Sequence, residues 1–486
     1  MTSNVTIHSL PTGVPGLDDV LGGGLPEFSF NLIAGQPGCG KTTLAHQIMF
    51  AVATPERPAL YLTVLAEPPL KMLRHQQQFA FFDVNMINHA VRFVNLTDEA
   101  LADDLDALLA RIVTEVEALA PAYVFIDSFR SMLHASAGNK TIQKFLQSLA
   151  ALMTTWQATT FLIGEYFNET EANPGHNPVF TVADGLIWLR QSVERNSVVR
   201  KIEIIKMRAQ PSLPGLYSFR ISASGITVYA PASAAALRGP SEAAQGPKAR
   251  LQMGVPRLDE MLGGGLPRGY SLLIAGPSGS GKSIMAAAFL AEGARNGETG
   301  VIAAFEQHPG RSRKRLIADL IKSGKIALVD TSALDLSIDE ILLLLLNEIR
   351  RLNATRVVID SLSGFELTLA PTFREDFRES MLRLVTTLTD EGVTVLMTSE
   401  LEDRYTDLRF SPYGTAFLTD AIIVQRYVEL DSRLQRVIAV VKVRGSAHSN
   451  ELRQFSIDDN GIHIGAMLAD QEGLLVGKPA KKREPL

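Results

Sequence analysis

The sequence predicts an α/β chain made of two tandem copies of one domain, each a mainly parallel sheet flanked by helices and finished by an antiparallel C-terminal edge. Three observations predict it. Residues 12–26 read TGVPGLDDVLGGGLP and residues 253–267 read MGVPRLDEMLGGGLP, a repeat whose period of 241 residues is a whole domain rather than a solenoid unit. Within each copy, short apolar runs alternate with longer helical patterns, as they do when crossover helices join parallel strands. Each copy also carries one Gly-rich turn between an apolar run and a helical pattern, FSFNLIAG before Lys41 and SLLIAG before Lys282.

The other elements follow in order. ALYLTVL, YVFID and TTFLIG continue the strands of the first copy, and GVIAAF, RVVID and VTVLMTS those of the second. The stretch 337–354 has a helical pattern between two of them, and its six-residue aliphatic run Ile341 to Leu346 reads as a buried helix face, too short to span a membrane. After residues 184 and 420 the pattern changes to closely spaced strands (LIWLR with VRKIEIIKMR, AIIVQRYVEL with QRVIAVVKVR), expected as antiparallel hairpins. These landmarks divide the chain into a first domain at 1–230, an Ala/Pro/Gly-rich linker at 231–250, a second domain at 251–469 and a disordered basic tail at 470–486 that ends in KPAKKREPL.

Composition narrows the function classes. Lys plus Arg number 47 against 52 Asp plus Glu, a net charge of −5, so no global positive field gathers phosphate backbones and nucleic-acid binding is disfavoured. One cysteine, Cys39, excludes an intramolecular disulfide framework or a cysteine-rich zinc site and fits a reducing, cytoplasmic setting. The N-terminal MTSNVTIHSL has neither the basic nor the apolar region of a signal peptide. The nine histidines show no paired metal-ligand spacing.

The chemistry is concentrated in the Gly-rich turns. Gly35-Gln36-Pro37-Gly38-Cys39-Gly40-Lys41-Thr42, with Thr43 after it, and Gly276-Pro277-Ser278-Gly279-Ser280-Gly281-Lys282-Ser283 both fit the P-loop pattern G-x-x-x-x-G-K-[ST]. Such glycines let successive backbone N–H groups face phosphate oxygens, and the following helix adds its positive end. Lys41 and Lys282 are expected to reach the β- and γ-phosphates, and Thr42 and Ser283 to ligate Mg²⁺. The metal needs a carboxylate at the end of a neighbouring strand, which Asp127 and Asp360 supply. Cys39 lies where the loop tolerates a small residue and is read as structural.

Two further sets complete the candidates. A nucleophile-orienting carboxylate is expected after the second strand, and Glu67 and Glu306 are the catalytic candidates there. If Pro69 is aligned with Pro309, the two glutamates are offset by one residue, which turns one of them to the opposite face of an extended strand. Lys206 and Arg208, with Lys442 and Arg444, end late strands far in sequence from their P-loops. They read either as cationic fingers that reach a nucleotide at a subunit interface or as solvated edges that discourage strand pairing. Arg311, Arg313, Lys314 and Arg315 form a basic cluster whose default is a solvated helix face.

Together the duplicated G-[VP]-x-x-L-D-x-x-L-G-G-G-L-P entry, the P-loops, the F-E-Q-H-P stretch at 305–309, the I-D-S after each YVF or RVV strand and the two K-x-R segments resemble the KaiC family over residues 10–465. That resemblance implies tandem RecA-like P-loop domains, ATP bound between protomers of a ring, usually a hexamer, slow ATP hydrolysis and a role in signalling. For KaiC itself it implies serine/threonine autophosphorylation at a pair of hydroxyls just before an I-T-D sequence. Here Leu418-Thr419-Asp420 matches that landmark, but the preceding residues are Ala416 and Phe417, which carry no hydroxyl. Ser411, Thr415 and Thr419 remain nearby, as acceptors or as ordinary loop residues. A regulatory protein partner is open, with KPAKKR as its dock or as a solubilising tail. A RecA-like nucleic-acid motor is the alternative function, and a scaffold that holds ATP in its first ring and hydrolyses it only in the second is another.

Overall fold

The computed structural model describes residues 8–64, 69–101, 104–129, 139–166, 178–194, 197–230, 249–305, 314–329, 336–369, 377–401, 418–430, 432–459, 461–468, 471–472 and 480–481. The chain divides into two compact units, Met1–Pro231 and Ala232–Leu486. Of the C-terminal stretch, the described residues Gln471–Glu472 and Ala480–Lys481 pair as a short antiparallel ladder.

The first unit is built on nine strands: β1 (Phe30–Gly35), β2 (Ala59–Thr63), β3 (Val91–Asn95), β4 (Tyr123–Asp127), β5 (Thr159–Glu165), β6 (Gly185–Glu194), β7 (Ser197–Met207), β8 (Leu216–Ser222) and β9 (Gly225–Tyr229). They lie in the order β9-β8-β7-β6-β1-β5-β4-β2-β3. From β3 to β6 every neighbouring pair is parallel, and β6 to β9 form an antiparallel edge. This is the expected pattern, including the late hairpins. The central strands FNLIAG and YVFID are buried at every position, because helices cover both faces of a parallel sheet and leave no solvated face for polar residues.

The second unit repeats the plan with β10 (Ser271–Gly276), β11 (Gly300–Ala304), β12 (Ile326–Val329), β13 (Arg356–Asp360), β14 (Thr394–Glu400), β15 (Ala421–Leu430), β16 (Arg433–Val443), β17 (Arg453–Asp458) and β18 (Gly461–Met467). Their order is β12-β11-β13-β14-β10-β15-β16-β17-β18. The helix Ile338–Leu352 starts at Ser337, whose side chain accepts from the Glu340 N–H, carries Asp339 and Glu340 in its first turn and Arg350 and Arg351 in its last, and stops at Asn353 in the left-handed region. Ile341, Leu342, Leu345 and Leu346 are buried, while Leu343 and Leu344 are 37% and 36% exposed. The aliphatic run is therefore longer than the face it buries, since four consecutive residues span a full helical turn. At the start of β13, Arg356 is fully buried beneath two carbonyls and the Glu298 carboxylate (2.7 Å). Among the described residues no helix is long and apolar enough to cross a membrane.

Candidate nucleotide sites

Each P-loop leaves the carboxyl end of a central strand and enters a helix, α1 (Lys41–Val52) in the first unit and α2 (Lys282–Arg295) in the second. The last glycine must be glycine for two reasons. Gly40 and Gly281 have φ of 105° and 104°, and an added Cβ would lie 2.7 Å from Ile221 Cδ1 or 2.5 Å from Ile457 Cδ1. The antiparallel strands β8 and β17, each next to the sheet's edge strand, thus press an isoleucine against the loop in both units. Lys41 arches back to donate from Nζ to the Gln36 carbonyl (2.8 Å), and Lys282 donates to those of Gly276 (2.9 Å) and Pro277 (2.8 Å), so each ammonium closes over its own loop.

The strand-end carboxylates sit beside these loops. Asp127 Oδ2 accepts from Thr42 Oγ1 and from the Tyr61 hydroxyl, each at 2.8 Å. Burial pushes the Asp127 carboxyl up from its ordinary value, against the lowering effect of the Tyr61 and Thr42 hydrogen bonds and the Lys41 charge. Burial and the neighbouring Asp127 raise the Tyr61 phenol well above its usual range. In the second unit Asp360 takes its hydrogen bond from Thr398 instead. One carboxylate and one hydroxyl from the protein suit Mg²⁺, which keeps most of its shell as water and phosphate oxygen. Among the described residues no cluster of three or more His, Cys, Asp or Glu forms an all-protein metal cage.

Cys39 is fully buried, and burial raises its thiol pKa despite Lys41, which suits a packing residue rather than a reactive thiolate. Its counterpart Ser280 instead donates to Gln425 Oε1 (2.8 Å).

The K-x-R segments lie at the far end of the sheet. Met207 pairs with Gly185, which pairs with Asn31 near the start of β1, while the P-loop leaves β1 at Gly35. Four residues of strand put about 13 Å between them before the loop is counted, and Val443, Ala421 and Leu272 repeat this geometry in the second unit. A one-residue bulge precedes each segment, at Ile205 and Val441, and re-aims the following lysine. Lys206 Nζ donates to the carbonyl of Ala183 (2.5 Å) and Lys442 Nζ to that of Thr419 (2.6 Å). Arg208 pairs with Asp184 (3.0 Å) and Arg444 with Asp420 (3.5 Å). Burial lowers the pKa of both lysines, with the neighbouring arginine adding to the effect.

The duplicated GGG turn supports these segments. Gln210 Nε2 donates to the carbonyls of Leu21 (2.7 Å) and Gly24 (2.6 Å), and Arg250 Nη1 to those of Leu262 (3.0 Å) and Gly265 (2.7 Å). A Cβ on Gly22 would meet the Pro211 carbonyl oxygen at 2.1 Å. In the second unit a Cβ on Gly263 would meet the Ala447 carbonyl oxygen at 2.8 Å, so in both units the turn is a seat for the chain that follows K-x-R.

Glu67, Glu306, Arg311, Arg313, Ser411, Thr415, Ala416 and Phe417 lie outside the described residues, as do the side chains of Lys314 and Arg315. The alignment through Pro69 and Pro309 is nevertheless corrected by their surroundings. The N–H groups of Val64 and Phe305 donate to the carbonyls of Asp127 and Asp360 and so are equivalent. Glu67 follows this anchor by three residues and Glu306 by one, an offset of two. Thr419 is buried.

Tyr61, Asp184 and Asp420 are the participants that the sequence reading misses. The aspartates recur at the 236-residue spacing of the K-x-R segments, which was a usable signal. Tyr61 recurs nowhere.

His46 on α1 is fully buried, its ring 4.7 Å from Tyr61 and 6.1 Å from Phe93. Burial lowers its pKa to about 4, with the Gln76 side chain opposing. An unfolded histidine near 6.5 binds a proton that the folded one refuses, so this stability is present above pH 6.5 and lost as pH falls toward 4, by up to about 3 kcal/mol. His46→Leu is expected to flatten the acid limb of the first unit's urea-unfolding stability between pH 7 and 4.5. An unchanged acid limb would contradict this assignment.

A family model described as "ATPase: KaiC" matches residues 10–233 and 251–469. The chain is 29% identical to "Circadian clock protein KaiC3" of Synechocystis sp. (strain ATCC 27184 / PCC 6803 / Kazusa), over 97% of this chain and 95% of that protein. It is 25% identical to "Circadian clock oscillator protein KaiC" of Prochlorococcus marinus (strain MIT 9313), covering 98% and 97%, and 26% identical to the protein of the same name from Parasynechococcus marenigrum (strain WH8102), covering 98% and 94%.

Proposed function

The chain belongs to the KaiC family of ATPases, and from that premise we propose that it is a Mg²⁺-dependent ATP hydrolase acting as a slow signalling switch, with ATP held between neighbouring copies in a homohexameric ring. One observation carries this reading. In both units the P-loop lies at one end of the sheet and the K-x-R cations at the other, so a cation that serves a nucleotide serves a neighbour's. Lys41 and Lys282 then hold the β- and γ-phosphates, and Thr42 with Asp127 and Ser283 with Asp360 hold the metal, which neutralises phosphate charge when bound. Glu67 and Glu306 are the candidates for orienting the attacking water. A regulatory protein partner belongs to this reading. A nucleic-acid motor is not favoured by the family.

Autophosphorylation at the family's position is closed by Ala416 and Phe417. Incubation of the purified protein with γ-labelled ATP and Mg²⁺ is expected to release free phosphate with no label on the chain. Label on the protein would make it an autokinase using another hydroxyl, Ser411, Thr415 or Thr419. No phosphate release at all would overturn the reading.

A further inference from the structure

The two strand-end carboxylates are held from opposite sides. Asp127 sits beside Ile163 of β5 in the strand register, and its strand-borne hydroxyl comes from Tyr61 on β2. Asp360 receives its hydroxyl from Thr398 on β14, the position equivalent to Ile163, while the position equivalent to Tyr61 is Ile302 on β11. Each carboxylate therefore accepts from a hydroxyl on one flanking strand, with isoleucine at the equivalent position of the other strand, and the two arrangements are exchanged.

Tyr61 is rigid where it stands. It is fully buried, with Phe93 5.3 Å, Phe125 6.1 Å and the His46 ring 4.7 Å from its own ring. Its hydroxyl and that of Thr42 both donate to Oδ2 of Asp127, which fixes the carboxylate rotamer and leaves Oδ1 for a metal ion or its water. We propose that Tyr61 is a positioning residue of the first nucleotide site, setting its divalent-metal affinity by orienting Asp127, a task that Thr398 performs from the other side in the second. The proposal rests on the reading of Asp127 as a metal carboxylate. Hydrogen-bond partners of ligating carboxylates change metal affinity by about 10–100-fold when removed.

The test uses the full chain carrying Lys282→Ala, so that only the first site binds nucleotide, and follows a fluorescent ADP analogue as Mg²⁺ is titrated. Tyr61→Phe is expected to raise the Mg²⁺ concentration for half-maximal binding about tenfold or more. It should leave binding in EDTA unchanged. Adding Ile163→Thr to Tyr61→Phe is expected to restore the parent titration by supplying the hydroxyl from β5. A Tyr61→Phe titration that superimposes on the parent overturns the proposal. Asp127→Asn separates the two possible failures. If it removes the Mg²⁺ dependence and Tyr61→Phe does not, the role of Tyr61 alone is wrong; if it too leaves the dependence intact, the metal reading of Asp127 falls with it. Should Tyr61→Phe not fold, Thr398→Val in a Lys41→Ala chain makes the mirror measurement at the second site, with the same tenfold shift expected and its absence contradictory.

Discussion

Lys41→Ala is expected to lower ATP hydrolysis at the first P-loop by about 10²–10³-fold, and Lys282→Ala to do the same at the second. Each lysine already lies folded over its own loop, so its ammonium occupies the position where phosphate charge must be met. The shared plan of the two units predicts that both sites contribute. The losses should nevertheless be unequal, because Glu67 and Glu306 follow equivalent anchors, Val64 and Phe305, at different distances. Steady-state phosphate release from the two single variants decides this. Equal residual rates would argue that the glutamates do not set the difference, and would also dismiss a scaffold that hydrolyses only in its second ring.

Arg208→Ala has the second large effect. A cation supplied across an interface to a transferring phosphoryl group contributes about 10³–10⁵-fold, and the distance along β1 between Arg208's end of the sheet and the P-loop prevents service to its own loop. With Lys282→Ala in both chains to silence the second site, Lys41→Ala and Arg208→Ala preparations should each be inactive. Mixing and reassembling them should recover turnover, because an Arg208→Ala chain keeps its P-loop and a Lys41→Ala neighbour still supplies Arg208. No recovery, in mixtures shown to exchange subunits, would return Arg208 to a structural role as the partner of Asp184.

The mainly parallel sheet, the antiparallel edge, the P-loops and the strand-end aspartates were legible because each is written in contiguous residues and written twice, whereas the order of the strands was not. What was not legible depends on register between strands distant in the chain. The hydrogen bond from Tyr61 to Asp127 joins β2 to β4 across 66 positions, and no local pattern distinguishes Tyr61 from any aromatic residue in a buried strand. The bulges at Ile205 and Val441 are invisible in composition, yet they aim Lys206 and Lys442. The alignment of the two glutamates failed for a similar reason. Val64 and Phe305 are made equivalent by hydrogen bonds to strand-end residues far along the chain, and Pro69 follows its anchor by five residues where Pro309 follows by four.

Equilibrium binding of labelled ATP to the wild-type chain with Mg²⁺ bears on the whole account. Two moles of ATP per mole of chain are predicted, falling to one in either lysine variant. A stoichiometry of one or none in the wild type would contradict the assignment of both P-loops as ATP sites.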